Sequence, residues 1–333
     1  MDAARRVVRR DDLAGVARAA LGAGHHLIGL SRLPGGSKKG VYRLTFDDDS
    51  TAIVYIWDDA ENYWPAAHAG DHADPFSHAS GIDLFQAASR RLDTLGIRTP
   101  RIRLADQSKS HYPADIAVVE DVPGENLETL LQRDPRNAEP ALTQLAGALE
   151  VMQRHTGPGF GKVALIEGGG ISRGRSCEQV VLDRALGDLA EAASRQTRFA
   201  TVRDRLEDIV RGLAAAVRPR SAYGLIHGEL GPDHVLVDRL GRPVLIDIES
   251  LMFFDAEWEH AFLRIRFGDH YHLLNRGGLD EQRLAFYTLA MRLSLVAGPL
   301  RLLDGDFPDR EAMIGIAEHN IQQALAFLPA DDG

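Results

Sequence analysis

His227-Gly-Glu-Leu-Gly-Pro-Asp-His-Val-Leu-Val-Asp238, continued by Arg239-Leu-Gly-Arg-Pro-Val-Leu-Ile246 and closed by Asp247-Ile-Glu249, is the stretch that decides how this chain folds. An apolar run, residues 223–226, leads into an acidic loop. Two short β-branched runs around Gly241 then read as a hairpin. Glu229 lies in the loop, and Asp247 and Glu249 directly follow the second strand. That order predicts that an acid before the hairpin and an acid after it come to one place. Phosphoryl transfer asks for such a pair, one carboxylate to orient or deprotonate a hydroxyl and one to hold Mg2+ against nucleotide phosphates.

Upstream of residue 120 the pattern is different. Residues 11–21 read as a short amphipathic helix with Asp11 or Asp12 at its start and Gly22 and Gly24 at its end. Residues 26–33, 41–46 and 51–57 read as strands joined by turn chemistry, an antiparallel meander. A polar, histidine-bearing stretch, 58–80, is expected to be a long surface loop, with His68 and His72 as loop residues rather than zinc ligands. A helix over 84–95 and strands over 101–104 and 116–120 complete a small sheet with one helix on it. The turn Pro34-Gly-Gly-Ser-Lys-Lys-Gly40 deserves note for its chemistry. Gly35 and Gly36 let backbone N–H groups approach a phosphate, and Ser37, Lys38 and Lys39 add donors and charge.

Pro123-Gly124 marks a change of character. Residues 126–132, 138–155, 178–194, 201–217, 258–267, 280–296 and 309–328 all carry helical periodicity. The expected fold is therefore α+β and two-lobed: a small antiparallel sheet lobe over 1–119, a hinge over 120–125, and a mostly helical lobe over 126–333.

The 333 residues are 44% hydrophobic, enough for two lobes each with a core. The net charge of -10 argues against non-specific nucleic-acid binding and is compatible with a cationic small substrate. The single cysteine, Cys177, excludes an intramolecular disulfide and fits a reducing compartment. With no secretory signal and no apolar run of spanning length, the expected place is the cytoplasm, as a monomer or homodimer away from membranes.

The decisive stretch resembles the catalytic loop and metal site of the aminoglycoside phosphotransferase and choline-kinase-like family, relatives of the protein kinases. The family reads His-Gly-Asp-Leu-x-x-x-Asn-Val-Leu and then Ile-Asp-x-Glu. His227, Gly228, Leu230, Val235, Leu236, Ile246, Asp247 and Glu249 match it. Glu229 stands in place of the Asp, and His234 in place of the Asn. The resemblance implies an ATP- or GTP-dependent, Mg2+-dependent kinase acting on a small-molecule hydroxyl, with aminoglycosides or other antibiotics foremost. It implies Glu229 and His227 as the catalytic pair, and His234, Asp247 and Glu249 as the metal side. Gly35, Gly36, Ser37, Lys38 and Lys39 would cover the phosphates, and the backbone of Glu120, Asp121 and Val122 would meet the base. Glu259, late in the chain, occupies the place of an Asp that braces the loop.

The family also carries a basic residue on the third strand and a helical Glu to pair with it. Residues 51–57 contain no basic residue, and Tyr55 is near the expected place. The helix offers Asp83, Phe85 and Gln86. The phosphate clamp is thus missing or replaced, with Lys38 or Lys39 as replacements. These departures leave a second reading, a kinase fold that has lost catalysis and binds a nucleotide, metabolite or protein.

Overall fold

A computed structural model describes residues 7–65, 71–275 and 277–329. Strands β1 (Leu27–Arg32), β2 (Gly40–Phe46), β3 (Thr51–Trp57), β4 (Ile102–Asp106) and β5 (Asp115–Glu120) form an antiparallel sheet in the order β1-β2-β3-β5-β4. For β1 to β3 the sequence asks for this arrangement, because runs rich in β-branched, aromatic and other apolar residues are separated by a Gly-rich and an Asp-rich turn, while the helix Ile82–Thr94 lies between β3 and β4. Ala52, Val54 and Ile56 pack with Leu44, Phe46, Ile116 and Val118 beneath the helix Ala14–Leu21. The opposite face of β3 carries Tyr55, whose ring meets Phe85 of the helix Ile82–Thr94 edge to face at 5.5 Å. Both faces of β3 are therefore buried, which is why its sequence is apolar almost throughout.

The chain divides into two compact units that interleave in sequence. The first comprises Met1–Gly70, Phe76–Gln144 and Pro232–Ser250; the second comprises Asp71–Pro75, Leu145–Gly231 and Leu251–Gly333. The expected cut was a single one at residues 120–125. Strand pairing accounts for the interleaving. The hairpin Val235–Asp238 with Pro243–Leu245 takes Gly124–Asn126 as its third strand. Gly124 has φ 149°, and a Cβ there would lie 1.9 Å from the Val237 carbonyl oxygen, so only glycine allows this close approach. A Gly-Glu-Asn tripeptide carries no strand signal, and sequence patterning does not find it.

In the second unit, Thr156–Gly157, Tyr223–Ile226, Met252–Phe254 and Gly161–Lys162 make a four-stranded sheet in that order. This sheet was not expected; three of its strands are too short to show a period. The helices Cys177–Arg195, Arg203–Ala216, Ala256–Phe267 and Arg310–Leu325 agree with the expected ones to within a few residues, whereas Glu281–Leu303 runs seven residues past the expected end at 296. Glu281–Leu303 is apolar on nearly all sides and runs through the core, packed on its helical neighbours. Buried Asp255 accepts from Arg283 (2.5 Å) and from the Tyr287 hydroxyl (2.6 Å), which ties the start of Ala256–Phe267 to this helix.

The stretch expected as a long polar loop is not uniformly exposed. Glu61 and Tyr63 are buried, and the Glu61 carboxylate accepts from the Tyr42 hydroxyl (2.5 Å) and from Arg32 (2.8 Å). A lone Glu in a polar stretch gives no sequence sign of burial. His68 lies outside the described residues.

Candidate active site

In the first unit, the turn before β2 and the end of the hairpin meet. Lys39 is buried, and its Nζ donates to Asp247 Oδ1 at 2.6 Å and to Glu249 Oε1 at 2.5 Å. The same ammonium lies 5.2 Å from the centroid of the Tyr55 ring. Burial on its own disfavours the charged lysine, but the two carboxylates outweigh it and raise its pKa, so the ammonium stays protonated. Breaking a buried pair of this kind by removing one partner typically costs about 3–5 kcal/mol.

The two acids respond in opposite directions. Burial raises both, and Lys39 lowers both. At Asp247 the ammonium, helped by His234 and Lys38, wins, and the carboxyl lies well below its usual range. At Glu249 burial and the neighbouring Asp247 charge win, and the pKa is raised. Two carboxylates sharing one cation cannot both ionise freely, and the more exposed one ionises first. Asp247 is 35% exposed in its side chain and Glu249 4%. Asp247 also has φ 55°, a left-handed backbone that a non-glycine residue adopts at a cost of about 1–3 kcal/mol. The strain lies directly after the strand Pro243–Leu245, where the chain turns into the short helix Ile248–Ser250. Its effect is to aim a carboxylate.

Mg2+ takes oxygen ligands and is commonly held by one or two carboxylates, with phosphate and water completing its shell. Among the described residues no group of three or more His, Cys, Asp or Glu is arranged to hold a metal ion. A half-exposed, ionised Asp247 fits a Mg2+ that arrives with a nucleotide and leans on phosphate oxygens. His234 fits less well as a ligand, since imidazole suits softer metals. Its Nε2 lies 3.7 Å from Asp233 and 3.7 Å from Asp247, a place suited to balancing carboxylate charge.

The Gly-rich turn is pinned from several sides. Ser37 accepts through its carbonyl from the Tyr63 amide (2.9 Å) and through its hydroxyl from Trp64 Nε1 (3.1 Å). The Lys38 carbonyl accepts from the Ser80 hydroxyl. Gly35 has φ 101°, and a Cβ at Gly36 would meet the Lys39 carbonyl at 2.6 Å, so both glycines are required by the turn itself. At the expected hinge, the Glu120 carboxylate binds Arg98 (2.9 Å), the Glu120 amide donates to the Arg101 carbonyl (2.8 Å), and Asp121 binds Arg43 (2.6 Å). These ion pairs were not legible beforehand, because their partners lie 19–78 residues apart.

The other half of the decisive stretch belongs to the second unit. His227 and Gly228 are buried, and their amides donate to Glu259 Oε2 at 2.5 and 3.0 Å. Glu259 is fully buried, and its pKa is raised to about 7. Burial is the largest cause, opposed by the amides and reinforced by the charge of Glu229. The bracing geometry expected of Glu259 is thus present. Glu229, one residue beyond the held amides, is partly exposed. Glu257 does something else: it pairs with Arg220 at 2.8 Å and accepts from the Asp280 amide.

Solved structures share this fold. Spectinomycin phosphotransferase APH(9)-Ia, in complex with ADP and spectinomycin, aligns over 96% of this chain and 99% of its own, with 14% identity and a TM-score of 0.66. The GDP and kanamycin complex of APH(2")-IIia aligns over 93% and 97%, with 16% identity and a TM-score of 0.62. Choline kinase LicA from Streptococcus pneumoniae aligns over 95% and 99%, with 14% identity and a TM-score of 0.61. At these identities the likeness is one of fold, the two-lobed α+β fold of the kinases. No curated protein sequence matches the chain. A family model for phosphotransferase enzymes (APH) matches residues 29–288 and so takes in the Gly-rich turn, residues 120–125, the decisive stretch and Glu259. The chain belongs to the phosphotransferase enzyme family, as a small-molecule kinase.

Proposed function

We propose that this kinase transfers the terminal phosphoryl group of ATP or GTP to a hydroxyl of an aminoglycoside or other hydroxylated antibiotic. The observation that carries the reading is Asp247: an ionised, part-exposed carboxylate held in a strained backbone beside Lys39, in the segment that matches the family's metal site. Family membership supplies the reaction class. The fold's relatives supply the acceptor class, since two of them were solved with spectinomycin or kanamycin. The chain's net charge of -10 favours a cationic acceptor, as those antibiotics are.

In this reading Asp247 would hold Mg2+, which supplies charge neutralisation at the transferring phosphoryl group. Glu249 keeps Lys39 in place. The Gly35 to Lys39 turn covers the phosphates with backbone amides, the Ser37 hydroxyl and the Lys38 charge. His234 balances the Asp247 side. The base meets the backbone of Asp121 and Val122, the Glu120 amide being already engaged within the sheet. Glu229 orients the attacking hydroxyl and accepts its proton. His227, fully buried, acts from behind through the amide that Glu259 holds. The single cysteine and the absence, among described residues, of a helix long and apolar enough to cross a membrane suit a cytoplasmic enzyme.

A nucleotide-consumption screen with ATP and GTP against hydroxylated antibiotics, amino alcohols and sugars tests the proposal. Acceptor-dependent turnover with an antibiotic is expected, and Glu229→Gln should lower it by about 100-fold. Turnover confined to sugars or amino alcohols would overturn the acceptor, and equal activity of Glu229→Gln would remove Glu229 from its role.

A further inference from the structure

The third strand has no basic residue, yet the sheet face it presents does not lack a charge. Val41 of β2 stands directly opposite Tyr55 of β3. Lys39 lies two residues before Val41, and side chains two apart share a face. Lys39 itself is in the bend just before β2, and its side chain reaches over Tyr55, its Nζ lying 5.2 Å from the ring centroid. From there it ends between Asp247 and Glu249. On the helix behind β3 it is Phe85 that packs on Tyr55, with Trp57 on Phe85, while Asp83 accepts from Gln107 instead. An aromatic contact stands where the family carries a strand-to-helix ion pair, and the ammonium comes from the turn before the neighbouring strand.

We infer that Lys39 is the phosphate-binding lysine of this enzyme, delivered from the turn before β2 to the position a side chain at residue 55 would reach, with Glu249 as its anchoring carboxylate. The inference rests on the phosphotransferase reading above and assigns to one residue what the sequence left open between Lys38 and Lys39. Three features support it. Lys39 is buried where Lys38 is part-exposed, so its charge acts in a low dielectric. It touches the carboxylate proposed to carry Mg2+, so any phosphate held through Asp247 is within its reach. An ammonium has three N–H donors, and Asp247 and Glu249 engage two of them, leaving one for a phosphate oxygen. The flanking glycines make the delivery possible. A Cβ at Gly40 would lie 2.7 Å from the Glu61 carboxyl carbon, so the chain next to Lys39 can pass Glu61 only without a side chain.

The test is binding rather than turnover. Isothermal titration of the full chain with Mg2+ compares the triphosphate with the nucleoside of the same base. Lys39→Ala should weaken the triphosphate by about 10–100-fold, the range of a charge-assisted hydrogen bond, and leave the nucleoside within about threefold. Lys39→Met with Glu249→Gln is the second variant, since it leaves no buried carboxylate facing a missing cation beside residue 249. It should show the same selective loss. Returning a lysine to strand three, Lys39→Ala with Tyr55→Lys, should recover part of the triphosphate affinity. Unchanged triphosphate binding in folded Lys39 variants overturns the assignment, as does an equal loss for triphosphate and nucleoside, which would mark Lys39 as structural. A folded double variant as weak as Lys39→Ala overturns the claim that residue 55 is the vacated position. Failure of the wild type to bind any nucleotide overturns the phosphotransferase reading itself, and that result is distinguishable from the others.

Discussion

Two buried carboxylates, Glu249 and Glu259, hold the two ends of the decisive stretch, and they are satisfied by different physics. Glu249 faces a full charge, the Lys39 ammonium at 2.5 Å. Glu259 faces dipoles, chiefly the amides of His227 and Gly228, with the Leu230 amide also acting on it and the like charge of Glu229 nearby. The Lys39 ammonium does not titrate near neutrality and Asp247 remains ionised beside it, so this cluster keeps a charge pair over a broad pH range even though burial and the Asp247 charge raise the Glu249 pKa. Charge against dipoles recovers less of the desolvation cost of a buried carboxylate, so the Glu259 pKa rises to about 7. The Asp247–Glu249 end of the stretch is therefore tied to a cation, and the brace of the loop is adjustable. Replacing the acid by its amide separates the two cases, since an amide keeps an acceptor oxygen and loses the charge.

The largest effect is expected on the charge-matched side. Asp247→Asn removes the one ionised, part-exposed carboxylate, and phosphoryl transfer should fall by roughly 10²–10³-fold or more. Thermal melting should be close to wild type, because Lys39 keeps Glu249. A variant that retains activity would show that the transfer does not depend on Asp247. The dipole-matched side should answer in stability instead. Glu259→Ala leaves two buried N–H donors without an acceptor, at about 1–3 kcal/mol each. Glu259→Gln keeps the acceptor and should cost about 1 kcal/mol or less. Urea midpoints of the two variants decide the matter, and equal midpoints would mean that the amides find other partners.

Much of this was legible in the sequence, and the limits have physical causes. Strands β1, β2, β3 and β5 and the long helices follow from period and turn chemistry, both local. The brace could be placed because Glu259 sits at a fixed position after the loop. The three-stranded and four-stranded sheets were not legible, because Gly124–Asn126 and Gly161–Lys162 are defined by partners more than 80 residues away. The same holds for Lys39. Its sequence context says only that it is a basic residue in a Gly-rich turn. That it is buried against Asp247 and Glu249, some 208 and 210 residues on, is a fact of tertiary packing. Glu61 shows the limit from the other side: it reads as a surface acid and is buried by Tyr42 and Arg32.

A further test reaches the adjustable brace through pH. A carboxyl whose folded pKa is raised from 4.5 to about 7 binds a proton in the folded state that the unfolded chain has released. Its contribution to stability is thus present in full below about 4.5 and is lost as pH rises toward about 7. The adjacent His260 works in the opposite sense. Burial lowers its pKa from 6.5 to about 4, while its ring is held by Gln153 (2.7 Å) and the Tyr271 hydroxyl (3.0 Å). Its contribution is present above about 6.5 and is lost as pH falls toward about 4. Between these limits the two neighbours oppose each other, and their sum is nearly flat. Glu259→Gln removes one of them, so its stability should rise with pH from 4.5 to 6.5 relative to wild type. The difference should be on the order of 2 kcal/mol across the window, at about 1.4 kcal/mol per pKa unit. Urea midpoints taken every pH unit from 4.5 to 7.5 measure it, and parallel profiles for wild type and Glu259→Gln would mean that the brace is ionised throughout and that the loop is held as rigidly as the Asp247–Glu249 end.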